Sequence, residues 1–277
     1  MKFFPNRATF LQIGSLHIQW YAVLIMTGAL LCYYLCLRNF RKLNVAREIL
    51  EDFFINSLVI GIVGARIWYV IFMYQDLYAN RPFFDMFKIW EGGLAIQGGV
   101  IAATLYGVYY FKKHEINIWR AADCIMPNLL VAQAIGRWGN FMNQEAHGTK
   151  VDLSFLESLH LPQFVIDGMY INGHYYHPTF LYESIGNLII FAIITFLVTK
   201  FYQRHGTLFF SYFIGVSIVR FFVEGMRTDS LMIGPLRMAQ VTSFAFIIVG
   251  IIGIIYLYKK GDKVSEETRL HPFGNLK

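Results

Sequence analysis

Charge is scarce in this chain. Only 15 % of its 277 residues are Asp, Glu, Lys or Arg, against about 25 % in soluble domains, which is too little to coat a water-facing globule. Cysteine is scarce too. Cys32, Cys36 and Cys124 all lie in apolar stretches, without Cys-x-x-Cys or Cys/His spacing, which argues against a disulfide scaffold and a structural zinc site. Acidic residues number 18 against 24 Lys and Arg, a net charge of +6. The basic residues are not gathered into one face or tail, so nothing supports a nucleic-acid partner. A Gly-rich nucleotide loop, His-Glu-x-x-His and Gly-x-Ser-x-Gly are all missing. A nucleotide-driven pump, a zinc protease and a serine hydrolase therefore lose support.

Apolar residues are abundant: 56 % of the chain, with 26 Phe and 17 Tyr and a mean hydropathy of +0.45. This composition fits an all-α integral membrane protein. Seven segments are long and apolar enough for spanning helices: Trp20–Leu37, Phe53–Tyr74, Leu94–Phe111, Ile118–Phe141, Thr179–Thr199, Thr207–Met226 and Val241–Tyr258. The second, fourth and sixth carry Arg66, Arg137 and Arg220, and should score lower by hydropathy. The first run ends at Arg38 without a small-residue cleavage motif and reads as a retained span.

Basic residues follow alternate spans: Arg38, Arg41, Lys42 and Arg47; Lys112 and Lys113; Lys200 and Arg204; Lys259, Lys260 and Lys263. By the positive-inside rule that side is cytoplasmic, the N-terminus is outside and the C-terminus inside. The whole chain, 1–277, then reads as one polytopic membrane domain. Its outer-face insertion, 143–178, should form a small cap with a short helix near Ser154–His160. Residues 261–277 form a cytoplasmic tail. His147, His160, His174 and His177 lie in the insertion, but their spacing is too irregular for a metal site.

Charges inside spans are expensive and usually face the bundle interior at functional positions. Here they are Arg66, Asp123, Arg137, Arg220 and Glu224, with Glu91, Glu145, Glu183 and Arg227 near span ends. Structural ion pairs and functional roles are both open for Arg66, Asp123 and Glu183. In Gly136-Arg-Trp-Gly-Asn-Phe-Met-Asn-Gln-Glu-Ala-His-Gly148, Arg137 and Asn140 share a helix face, and Glu145 follows where the helix should break. In Arg220-Phe-Phe-Val-Glu-Gly-Met-Arg227, the spacing i, i+4, i+7 puts Arg220, Glu224 and Arg227 on one stripe, where Glu224 can hold both arginines. In Glu91-Gly-Gly-Leu-Ala-Ile-Gln-Gly-Gly99, Gly98 and Gly99 follow Gln97 and permit close approach of a backbone or a headgroup. Paired guanidiniums in a bundle suit a phosphate-bearing lipid, because their planar donors match phosphate oxygens and would stabilise a departing phosphate.

These segments, together with Asp-x-x-x-Pro ahead of Gly136, His-Pro-Thr-Phe-Leu-Tyr-Glu and Arg-Phe-Phe-x-Glu-Gly-x-Arg-Thr-Asp, resemble the phosphatidylglycerol–prolipoprotein diacylglyceryl transferase family in its Gram-positive-like form. The likeness runs from about Trp20 to Gln240. It implies a seven-helix fold in the bacterial cell membrane, with a site toward the outer leaflet. It implies transfer of the diacylglyceryl group of phosphatidylglycerol to the lipobox cysteine of a prolipoprotein signal peptide, giving a thioether and glycerol 1-phosphate, with no metal or soluble cofactor. The site residues it implies are Arg137, Asn140, Glu145, Gly148 and Arg220, then Glu224 and Arg227, with Tyr21 in the Trp-Tyr pair of the first helix. Two positions depart from the pattern. Gln97 stands where many members have His, and Val216 where many have Tyr.

The residues themselves suggest Arg137 and Arg220 on the phosphate, Asn140 orienting it, Glu145 as acceptor of the thiol proton and Glu224 orienting Arg220. Two other classes stay open. Gln97 and Val216 favour a weakened or inactive lipid-binding paralogue. A transporter of anionic solutes would need internal repeats, which the sequence lacks.

Overall fold

The computed structural model describes residues 2–3, 6–14, 16–79, 81–202 and 204–265. Positions 266–277 of the expected tail lie outside the described residues. The long helices are α1 (Trp20–Lys42), α2 (Arg47–Phe72), α3 (Ile96–Lys113), α4 (Ile118–Asn143), α7 (Thr179–Ala192), α9 (Thr207–Met226) and α10 (Met238–Lys260). A π-helical stretch, Ile193–Val198, extends α7 into the short α8 (Thr199–Phe201). Every expected span corresponds to one of these helices.

Five pass as long and apolar enough to cross a membrane: α1, α2, α7 with its extension to Phe201, α9 and α10. The expected lower hydropathy holds for α9, the least apolar of the five, and for α4, which does not pass, whereas α2 equals α1. The α2 and α9 helices qualify despite Arg66 and Arg220, because the rest of each is strongly apolar. The α3 helix falls short because Gln97, three glycines, three tyrosines and a terminal Lys pair dilute its 18 residues. The α4 helix carries Arg120, Asp123 and Arg137.

The described chain divides into two compact units, Met1–Asn39 with Ala122–Lys277, and Phe40–Ala121. In the first, three short antiparallel strands precede α1: β1 (Lys2–Phe3), β2 (Thr9–Ile13) and β3 (Leu16–Gln19). Arg7 ties this sheet to the end of α4. It donates to the Phe141 carbonyl at 3.1 Å and sits 4.5 Å over the Phe141 ring. After α4 come β4 (Lys150–Val151), α5 (Leu153–Ser158), α6 (Gln163–Gly168), β5 (Tyr170–Ile171) and β6 (His174–Tyr176), the strands pairing antiparallel in the order β4-β6-β5. The short helix expected at Ser154–His160 is α5. This insertion closes over the ends of α4 and α7 through a buried cluster of Phe141, Leu156, Val165, Ile166, Met169 and Phe180. A hairpin, β7 (Met232–Ile233) and β8 (Leu236–Arg237), joins α9 to α10.

At its opposite end, α9 begins on a carboxylate from α4. Asp123 is fully buried. It accepts hydrogen bonds from the Gly206 and Phe209 backbone N–H groups, at 2.6 and 2.8 Å, and from the Tyr202 hydroxyl at 2.8 Å. The first N–H groups of a helix lack intrahelical partners and favour negative charge, so Asp123 does structural work. The three cysteines are buried in the same unit.

In the second unit, α2 and α3 pack with their backbones nearly touching. A Cβ on Gly98 would lie 2.3 Å from the Gly64 carbonyl oxygen, and one on Gly99 would lie 3.0 Å from that of Gly61. Gly98 and Gly99 are therefore occupied by helix packing, while Gln97 is exposed. Arg66 anchors the loop between the two helices. It is 7 % exposed and donates to four carbonyls: Met86 (2.7 Å), Gly92 (2.7 Å), Gly93 (3.0 Å) and Asp85 (3.0 Å). It is a structural hub. Because hydrogen bonds from a charged group contribute about 1.5–3 kcal/mol each, Arg66→Leu should release this loop. Limited proteolysis should then cut the 81–93 segment at protease levels that leave the parent chain intact.

Candidate active site

Three helix ends meet in the first unit: the C-terminal turns of α4 and α9 and the N-terminal turns of α7. Arg137 and Arg220 come from α4 and α9, and both reach Glu183 of α7. Arg137 Nη2 lies 2.6 Å from Glu183 Oε1, and Arg220 Nη1 lies 3.4 Å from Oε2. Arg220 Nη2 also meets Glu224 Oε2 at 2.9 Å, one turn along α9. Both carboxylate side chains are almost fully buried, at 6 % and 3 % exposure, whereas each arginine keeps 28 %. The carboxylates thus clamp the guanidiniums from inside and leave part of each donor fork open.

Asn140 extends the cluster. Its Oδ1 accepts from Arg137 Nη1 at 3.4 Å, and its Nδ2 donates to Glu145 Oε1 at 2.9 Å. Asn143 donates to the same oxygen at 3.3 Å. The helix breaks here as expected: Gln144 and Ala146 both adopt positive φ, and Glu145 is exposed beyond the break. Both amides reach Glu145 through the same oxygen, Oε1. Tyr21 packs on the same stretch, since a Cβ on Gly139 would lie 2.6 Å from its ring.

Gly148 is where the insertion passes between two helix ends. Its N–H donates to the His177 carbonyl at 3.0 Å, and it forms an antiparallel bridge with Arg227. A Cβ there would lie 2.6 Å from His177 Cβ and 3.1 Å from the Met226 carbonyl oxygen. Close backbone approach requires glycine at this position.

Arg227 needs a correction. Its ion-pair partner is Asp229, with bonds of 2.9 and 2.8 Å, so Glu224 holds Arg220 but not both arginines. The helix ends at Arg227, whose extended backbone turns the side chain off the stripe that the spacing implied. Burial opposes the Arg227 charge, but the hydrogen bond and charge of Asp229, with Glu224 and Glu183 nearby, outweigh it and raise its pKa. The same bond holds the Asp229 carboxyl below the ordinary carboxylate range.

The structure therefore brings together Arg137, Asn140, Glu145, Gly148, Tyr21, Arg220, Glu224 and Arg227. Gln97, Gly98 and Gly99 belong to the other unit. Sequence reasoning underrated two residues. Glu183 was visible as a charge at a span end, but nothing local revealed that it joins two arginines from other helices. Arg237 precedes α10 and donates through Nη1 to the Glu224 carbonyl, to the Arg227 carbonyl at 2.9 Å and to Ser230 Oγ at 3.4 Å. It caps the carbonyl end of α9, where a cation is favoured. Two of the insertion histidines are engaged separately: His147 packs at a tilt against Tyr176 with ring centroids 4.1 Å apart, and His177 Nδ1 lies 3.2 Å from the Tyr182 hydroxyl.

Comparisons with known proteins show the family. A family model described as prolipoprotein diacylglyceryl transferase matches residues 8–256. The phosphatidylglycerol–prolipoprotein diacylglyceryl transferase of Bacillus cereus (strain G9842) is 47 % identical over 250 residues, 90 % of this chain and 92 % of the relative. The protein of the same name from Bacillus anthracis (strain A0248) is 48 % identical over the same coverage. A membrane body of apolar helices, the paired arginines with their shared carboxylate and this breadth of identity place the chain in the prolipoprotein diacylglyceryl transferase family.

Proposed function

We propose that this protein transfers the diacylglyceryl group of phosphatidylglycerol to the lipobox cysteine of prolipoprotein signal peptides in the bacterial cell membrane. The observation that carries the reading is the pair of partly open guanidiniums, Arg137 and Arg220, gathered on one buried carboxylate. In the reaction the cysteine sulfur attacks the glycerol carbon that bears the phosphate. A carbon–sulfur bond forms and the carbon–oxygen bond breaks. Its electron pair leaves with glycerol 1-phosphate, and the thiol proton goes to a carboxylate.

Arg137 and Arg220 hold the phosphate and take up the charge that collects on it. Asn140 sets the orientation of Arg137 and, through its other amide atom, of Glu145. Glu145 accepts the thiol proton. A cysteine of ordinary pKa, about 8.5, costs roughly 2 kcal/mol to ionise at pH 7, so a positioned base is worth having. Gly148, Tyr21, Glu224 and Arg227 shape the pocket around the lipid head. The chain is one polytopic domain of seven spans, N-terminus outside, with 143–178 as the outer cap and 261–277 as the inner tail. The basic residues that follow alternate spans support that sidedness.

The test is direct. Purified protein, phosphatidylglycerol and a lipobox peptide are mixed, and the peptide should gain the mass of one diacylglyceryl group as glycerol 1-phosphate appears. Binding of the lipid without release of glycerol 1-phosphate would favour the inactive paralogue. In the same assay Glu145→Gln should slow transfer by about 100-fold or more, the usual effect of removing a general base; near-normal transfer would take Glu145 out of that role.

A further inference from the structure

One turn deeper than the arginine cluster lies a second polar layer that the proposed mechanism does not use. Asn187 follows Glu183 by four residues on α7, is 1 % exposed, and has no hydrogen-bond partner on either amide atom. Gln133 precedes Arg137 by four residues on α4. Its Nε2 donates to the Tyr212 hydroxyl of α9 at 2.7 Å, but its Oε1 is buried without a partner. An unsatisfied polar group in apolar surroundings costs several kcal/mol. An orphaned buried N–H is rarer than an under-satisfied carbonyl, so the Asn187 amide nitrogen is the atom that most needs explaining.

Its direction follows from its neighbours. Successive helix residues are about 100° apart. Ser184 turns toward α4, its hydroxyl 2.9 Å from the Ala134 carbonyl oxygen. Gly186 and Ile190 turn toward α9, where they meet Val219 and Gly215. Glu183 and Asn187 fall between these two directions, in the wedge between α4 and α9. Asn187 therefore faces the same interhelical space as the arginine clamp, one helical turn, about 5.4 Å, further from the helix ends.

A phospholipid whose phosphate is held by Arg137 and Arg220 must put its glycerol esters next to that phosphate, a few bonds along, on the side toward the acyl chains. We infer that Asn187 donates its amide N–H to a glycerol ester carbonyl of the bound lipid, making it a specificity residue that distinguishes diacyl from dialkyl donors. The inference deepens the proposed function and rests on it. An ester carbonyl is an acceptor without a proton, which suits an orphaned donor, and an ether oxygen at the same place is a far poorer acceptor.

The experiment compares diacyl phosphatidylglycerol with its dialkyl ether analogue, in mixed micelles with a lipobox peptide. The wild type should use the diacyl lipid about tenfold better in kcat/KM, the weight of one well-placed hydrogen bond. Asn187→Leu, which keeps about the same size but removes the donor, should lose that preference while leaving the rate on the ether lipid unchanged, and Asn187→Ala should do the same. Retention of each lipid by the purified protein, read by native mass spectrometry, should show the same preference and the same loss. Equal use of the two lipids by the wild type would overturn the inference. So would variants that slow both lipids equally, the result expected if Asn187 only binds structural water or instead meets the peptide. Failure of the proposed function looks different: no lipid would yield a modified peptide, while the retention measurement would still read the ester preference.

Discussion

Arg137→Lys and Arg220→Lys should each reduce diacylglyceryl transfer by at least about 100-fold while the protein still folds, a loss in the range seen when one preorganised donor to a developing oxyanion is removed. Lysine keeps the charge, so the buried carboxylates Glu183 and Glu224 keep a counter-ion. What disappears is the planar fork. Arg137 meets Glu183 through Nη2 and Asn140 through Nη1, and Arg220 meets Glu183 through Nη1 and Glu224 through Nη2, so each guanidinium keeps further N–H groups for a phosphate. An ammonium cannot satisfy a carboxylate and also present an aligned pair of N–H groups to phosphate. The checks are the peptide mass assay for transfer and a melting curve in detergent for the fold. A Lys variant with unchanged melting and near-wild-type transfer would reduce the pair to structural ion pairs. Loss of folding in both would point the same way.

The second large effect is expected at Glu183. Glu183→Gln removes the only carboxylate that touches both arginines among the described residues, and it leaves two partly buried cations to share what remains. Removing one member of a buried ion pair typically costs about 3–5 kcal/mol, so the unfolding midpoint in detergent should drop well below that of the Lys variants. Transfer should fall as well, because the guanidiniums lose their common anchor and no longer converge. Glu183→Asp should recover part of the stability but less of the activity, since the shorter side chain can reach one arginine more easily than two. If Glu183→Gln matched the parent protein in both measurements, the shared carboxylate would not be what assembles the site.

The helices were the most legible part of the fold. Thr207–Met226 coincides end to end with α9 because Gly206 and Arg227 bound a mostly apolar run that holds only Arg220 and Glu224 as charges. The Arg137–Asn140 contact was legible too, since i, i+3 spacing on one helix fixes it. The strands before α1 were not, because Thr9–Ile13 and Leu16–Gln19 are short and offer little alternation to set against the long apolar run behind them. Partners drawn from different elements were harder still. Glu183 reaches α4 and α9 only after three helices have packed, and Arg227 takes its carboxylate from the loop beyond its own helix. Local spacing favoured Glu224 for that role and could not foresee that the backbone turns extended at Arg227. Gly98 and Gly99 were open to helix packing, the commoner use of such pairs, or to headgroup approach; the backbone of α2 occupies them.

The carboxylate of Asp123 at the start of α9 has a mechanical consequence. It works as a peg that fixes the helix axially, so Arg220 is indexed by counting residues from that peg. A one-residue insertion between Leu208 and Arg220 would swing the guanidinium by about 100°, away from Glu183. The same insertion in the β7–β8 hairpin, downstream of Arg220, would leave that index untouched. The chain length between peg and guanidinium is thus a dimension of the protein that admits no slack.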